Sequence, residues 1–166
     1  MIINKKLGNI QNASGDNIDF LWLQWYETNK RILHKQTANG KNISLRFLNE
    51  SPALEPGDIL YKDETTTIVV DLLPTEAIVI KPSNMFEMAS LSYEIGNKHL
   101  PLFYEKEILM LPYEAPFYKY LVAAGYTITI ENKKLQKPLR TTVSPHSTTG
   151  GETLFSKIMK LTTDKK

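Results

Sequence analysis

The order in which hydrophobic periodicity changes between Glu76 and Glu131 restricts this chain more than any other feature. Glu76 to Ile80 is a short apolar run of strand type. Pro82-Ser83-Asn84 then opens a helix, with Asn84 as N-cap and Glu87, three residues on, as its reciprocal partner. Met85, Phe86, Met88, Ala89, Tyr93 and Ile95 fit a helix with one buried face, and Gly96-Asn97 supplies a left-handed stop. Leu100 to Tyr104 and Glu107 to Leu111 read as two strands around Glu105-Lys106. Pro116 suits the first residue of a second helix ended by Gly125, and Tyr126 to Glu131 alternates as a last strand. The order β-α-β-β-α-β is the split βαβ, ferredoxin-like arrangement, an antiparallel four-stranded sheet with both helices on one face. The right-handed crossover rule leaves it little topological freedom.

The residues before this unit are punctuated as a small β domain. Ile18 to Trp25, Arg31 to Gln36 and Asn42 to Phe47 read as strands, and Asn39-Gly40 is a strong tight-turn signal of type I′. Pro56-Gly57-Asp58 precedes Ile59-Leu60-Tyr61, and after Lys62-Asp63-Glu64 the branched run Thr67, Ile68, Val69, Val70 suits a pleated sheet. No convincing long helix occurs here. Trp22 and Trp25, three apart, would lie on opposite faces of one strand, as core and partly covered surface or, alternatively, as a peptide-docking surface. Leu73-Pro74 marks the boundary. A chain of 166 residues has room for two such small units. The expected class is α+β: an all-β domain over residues 1–74, a ferredoxin-like βαββαβ domain over 75–140, and a basic, mobile tail over 141–166 in which Ser147-Thr148-Thr149-Gly150-Gly151 buries little.

Scarcity narrows the chemistry. The chain has no cysteine, which excludes disulfides, thiolate zinc sites, cysteine-bound Fe–S clusters and cysteine nucleophiles. Its three histidines, His34, His99 and His146, must carry any transition-metal site together with carboxylates or water. No nucleophile elbow, phosphate-binding loop or dinucleotide fingerprint is present, and no spacing of acids singles out a general acid–base pair. An enzyme is not expected. Twenty Lys and Arg against eighteen Asp and Glu leave a net charge of +2, which argues for no nucleic-acid partner. No apolar run is long enough to span a membrane, and the start Met1-Ile2-Ile3-Asn4-Lys5-Lys6 has no secretory signal stretch. A cytoplasmic protein is expected.

One segment raises a histidine above the background: Ser92-Tyr93-Glu94-Ile95-Gly96-Asn97-Lys98-His99-Leu100-Pro101-Leu102. It closely resembles the Y-H-L-G-N-R-H-x-P-L signature of the UreE family, the urease accessory nickel metallochaperones. The resemblance extends to Gly57-Asp58-Ile59-Leu60, and to Val143-Ser144-Pro145-His146-Ser147, which is similar to the end of members without a long histidine tail. It covers nearly the whole chain. The resemblance implies that His99 is the principal Ni²⁺ ligand and His146 an auxiliary one, with Zn²⁺ and Cu²⁺ as competitors. It also implies a urease accessory GTPase and apo-urease as partners.

The departures matter. The first histidine of the pattern is Glu94 here, which is not counted as a ligand, and the arginine is Lys98. Tyr113-Glu114-Ala115-Pro116 stands where some relatives carry paired histidines, and no polyhistidine tail is present, so nickel storage should be small. One imidazole anchors a metal weakly. A two-fold axis would present His99 twice at an isologous interface, so a homodimer is expected. Imidazole coordinates only when neutral, so capture should weaken in acid. His34, inside a β-domain strand, is read as structural. The competing reading is a generic ferredoxin-like binding module in which His99 merely follows a helix end.

Overall fold

The computed structural model describes residues 1–10, 17–48 and 51–139. The tail, with its candidate ligand His146, lies outside them. The first half holds β1 (Ile2–Ile3), β2 (Gly8–Asn9), β3 (Ile18–Leu23), β4 (Ile32–Gln36), β5 (Asn42–Arg46), β6 (Asp58–Lys62) and β7 (Thr67–Leu72). These form two sheets, ordered β1-β5-β4 and β2-β6-β7-β3. Two of the pairings, β1 with β5 and β3 with β7, are parallel. Leu21, Leu23, Ile43, Leu45, Ile68, Val70 and Leu72 fill the core of this half. Gly57 lets the chain turn tightly there: its φ is +87°, and a Cβ would lie 2.3 Å from the Ile10 carbonyl oxygen. The next residue, Asp58, is buried and accepts hydrogen bonds from Asn9 Nδ2 and the Glu55 N–H.

Asn39-Gly40 does not form the expected type I′ turn. Gln36 and Asn42 close the strand pair, leaving residues 37–41 as a longer loop in which Gly40 alone is left-handed. The buried Asp19 of β3 accepts a hydrogen bond from the Asn39 N–H at 3.0 Å, so a contact from another strand sets the loop's shape. The two-residue connection with both φ values positive falls instead at Lys106 (47°) and Glu107 (66°).

The second half follows the expected order: β8 (Thr75–Ile80), α1 (Met85–Asn97), β9 (Phe103–Glu105), β10 (Ile108–Pro112), α2 (Ala115–Ala123) and β11 (Ile128–Lys133). Its sheet is ordered β11-β8-β10-β9 with antiparallel pairing, the ferredoxin-like topology. Both helices pack on one face, where Leu91, Ile95, Phe117 and Leu121 meet Ile78, Ile80, Leu109 and Leu111. Asn84 caps α1 by accepting the Glu87 N–H, while the Glu87 carboxylate reaches back to Ser83 rather than to the cap itself. Glu114 caps α2 in the same manner through the Phe117 N–H, which places Pro116 one residue inside the helix start.

The opposite face of this sheet is covered from the first half. Trp25 does not continue β3, which ends at Leu23; it begins a single 3-10 turn, Trp25–Glu27. Its ring meets Phe103 edge-on, 5.5 Å between centroids, beside Ala77, Val79, Met110 and Leu135. Trp22 remains on β3, its ring tilted against that of Phe20 at 5.3 Å between centroids, with the Lys134 ammonium 5.5 Å from its ring centre and bonded to Asp71 at 2.7 Å. Both tryptophans therefore face the second half: the Gln24 N–H bond to the Glu27 carboxylate holds a turn that leaves the strand, and Phe103 receives the Trp25 ring.

Candidate metal centre

His99 is placed by the way α1 ends. Lys98 is the C-cap, the His99 N–H donates to the Gly96 carbonyl at 3.0 Å, and the Leu100 N–H donates to Ile95 at 3.2 Å. These are the two bonds of a Schellman motif, whose left-handed residue is usually glycine. Here it is His99, with φ +54°. Gly96 and Asn97, expected to stop the helix, are its last two residues. Leu100 joins Ile95 in the core, and that hydrophobic clasp fixes the turning point one step beyond the glycine. Histidine enters the left-handed region more readily than most residues, yet still at a cost of about 1–2 kcal/mol.

The imidazole sits on an exposed corner. Next to it the Lys98 ammonium lies 5.7 Å from the Tyr120 ring centre, a cation–π contact between α1 and α2. The Tyr120 hydroxyl is pushed above the ordinary phenol range by burial first, and then by the negative charge of Glu94 and by Tyr126. Among the described residues no three His, Cys, Asp or Glu side chains gather into a metal-sized group. One chain thus presents His99 without a ready set of co-ligands in this region. The structure does not bring His34 to it: His34 is exposed on β4, in the first half.

The flank of α1 is the feature that periodicity misjudged. Only Leu91 and Ile95 are buried, while Met85 is 80%, Phe86 81% and Tyr93 70% exposed. Met85, Ala89 and Tyr93 are spaced i, i+4, i+8 and so form a stripe that runs toward the helix end bearing His99. Tyr120 and Val122 of α2 add further exposed apolar surface. Protein contact surfaces are built from contiguous exposed apolar area of this kind. The signal was available in the sequence: Met85, Phe86, Met88, Ala89, Leu91, Tyr93 and Ile95 occupy more of the helix circumference than one sheet can cover.

Comparison with known proteins gives a consistent answer. Residues 3–73 match the family model for the N-terminal domain of the UreE urease accessory protein. The urease accessory protein UreE of Flavobacterium johnsoniae is 39% identical over 163 residues, covering 97% of this chain and 99% of that protein. The UreE of Acetivibrio thermocellus is 37% identical, over 84% of this chain and 92% of its own length. That of Helicobacter pylori is 38% identical, over 89% and 90%. With similarity at this level running along nearly all of both chains, the protein belongs to the UreE family of urease accessory proteins.

Proposed function

We propose that this chain is a nickel metallochaperone for urease maturation, and that it holds Ni²⁺ between two copies of itself. In this reading each copy of a homodimer contributes His99 across a two-fold axis. His146, from one or both copies, adds a further imidazole, and carboxylate or water completes the coordination shell. Nitrogen and oxygen donors of this kind suit Ni²⁺, with Cu²⁺ and Zn²⁺ competing. A corner site whose ligands exchange one at a time suits a carrier that must release its cargo. The metal would pass to the maturation machinery, including a GTPase accessory protein and apo-urease, as the family membership suggests.

The observation that carries the reading is His99 itself: a solvent-exposed imidazole in a strained backbone position where glycine would serve the fold better. Such strain is kept at sites where the side chain is needed. The exposed stripe of α1 beside it supplies apolar surface for a second copy. The test is calorimetric titration with Ni²⁺ of the full chain and of His99→Ala, with mass determined in parallel. Tight binding in the first and its loss in a still dimeric variant is the expected result. A His99→Ala protein that titrates like the unaltered chain would exclude the assignment. His146→Ala should weaken binding or change the order of metal preference.

A further inference from the structure

The outer face of the β1-β5-β4 sheet carries an open depression of about 570 Å³ whose contents the nickel reading leaves unused. Strand register puts His34 opposite Ser44, Ser44 beside Ile2, and Ile32 opposite Arg46. Among the described residues no carboxylate lines it. The Arg46 side chain is exposed and, among the described residues, has neither an ion-pair partner nor a hydrogen-bond acceptor. The Ser44 hydroxyl is shut away from solvent and likewise lacks a partner among those residues. Lys35, also at the depression, contributes no free charge, because its ammonium is bound to Glu27 and to the Trp22 carbonyl. Flanking these polar groups, Ile2 is 64% and Ile32 58% exposed, one on each outer strand of the sheet.

An unpaired guanidinium recognises carboxylates best, through two parallel hydrogen bonds. Outer strands of a three-stranded sheet lie about 10 Å apart, so the two isoleucines are too widely spaced to serve one small anion. We propose that this face binds an acidic peptide segment of a partner protein. A carboxylate pairs with Arg46, on the face that also carries the exposed His34, and apolar side chains on either side of it rest on Ile2 and Ile32. The surface belongs to a different sheet from the one that α1, which carries His99 at its end, packs against, so it supplies an attachment point separate from the metal.

The test is a titration of the ¹⁵N-labelled full-length chain with an end-blocked pentapeptide alternating leucine and aspartate, followed by amide shifts. Its counterpart with asparagine in place of aspartate, and sodium acetate, serve as controls. Expected are shifts confined to β1, β4 and β5, with affinity at least tenfold weaker in Arg46→Gln and for the asparagine peptide, and several-fold weaker in Ile32→Asn. Nickel titration of Arg46→Gln should match the unaltered chain, which separates this proposal from the metal assignment. No shift at millimolar peptide, shifts centred elsewhere, equal binding of the asparagine peptide, or unchanged binding by Arg46→Gln would each overturn it. Acetate reproducing the shifts at the same concentration would reduce the face to a simple anion site and overturn it too.

Discussion

His99 and Gly125 occupy the same position of the same backbone motif at the ends of the two helices. In α2 the Gly125 N–H donates to Val122 at 3.1 Å and the Tyr126 N–H to Leu121 at 3.1 Å, matching the bonds His99 and Leu100 make in α1. Both residues are left-handed, with φ +78° at Gly125 and +54° at His99. One helix thus ends with the residue that backbone energetics favours, and the other with a residue that backbone energetics penalises. The contrast isolates what the imidazole costs the fold.

That contrast predicts the effect of His99→Gly. Relief of left-handed strain is partly offset by the extra freedom glycine gives the unfolded chain. The net expectation is a gain of roughly 0.5–1 kcal/mol, read from urea unfolding, together with loss of nickel binding by calorimetry. A variant both less stable than the original and undiminished in metal binding would favour a purely structural histidine.

The exposed flank of α1 predicts the behaviour of Phe86→Glu and Tyr93→Glu. Both side chains lie largely in solvent, so the single chain should fold as before. A second copy seated on that face would meet a buried charge, which association cannot tolerate without a partner. On the proposed homodimer, sedimentation should therefore show monomers, and nickel affinity should fall at least tenfold with the loss of the second imidazole. Monomers that bind nickel as tightly as the dimer would show that the metal does not need the interface.

The sequence carried the second half of the fold well, because its signals are local. Asn84 and Glu114 cap helices within three residues of themselves, the β8 and β10 residues run apolar as buried strands do, and β11 opens with the alternation of a partly exposed edge strand. The parallel pairings of β1 with β5 and β3 with β7 were not legible, since no local pattern reports which distant strand lies alongside. Trp25 illustrates the same limit: its spacing from Trp22 suggested a shared strand, while its place is set by Phe103 some eighty residues later. At the candidate site the residue was legible and its backbone was not. Gly96 is the stronger stop signal in isolation, and the Ile95–Leu100 core contact overrides it.

Trp25 predicts how the halves depend on one another. Its indole covers the sheet face that α1 and α2 leave open, edge-on to Phe103 and next to Leu135. Trp25→Ala removes that cover and should cost about 2–3 kcal/mol, somewhat less than a fully buried tryptophan. Urea unfolding followed by far-ultraviolet circular dichroism measures it, and a loss below about 0.5 kcal/mol, the range of surface substitutions, would show that the contact is incidental.

The Glu27–Lys35 pair predicts a pH dependence. Burial pushes the Glu27 carboxyl up, but its hydrogen bond with the Lys35 ammonium and the Gln24 N–H outweigh that, and the group ends below the ordinary carboxylate range. A carboxyl whose pKa is lower folded than unfolded stabilises the fold above its unfolded value, and that contribution fades as pH falls through the folded one. Glu27→Gln should therefore cost about 1–3 kcal/mol at pH 7, because it also strands Lys35, whose side chain is only 25% exposed. The gap between variant and original should narrow as pH falls below about 4, where the unfolded carboxyl protonates ahead of the folded one. Replacing both partners, Glu27→Gln with Lys35→Met, should recover part of the loss by removing the stranded charge. Urea unfolding at pH 7 and pH 3 provides the comparison, and an equal gap at both would place the effect in packing around the 3-10 turn and not in the ion pair.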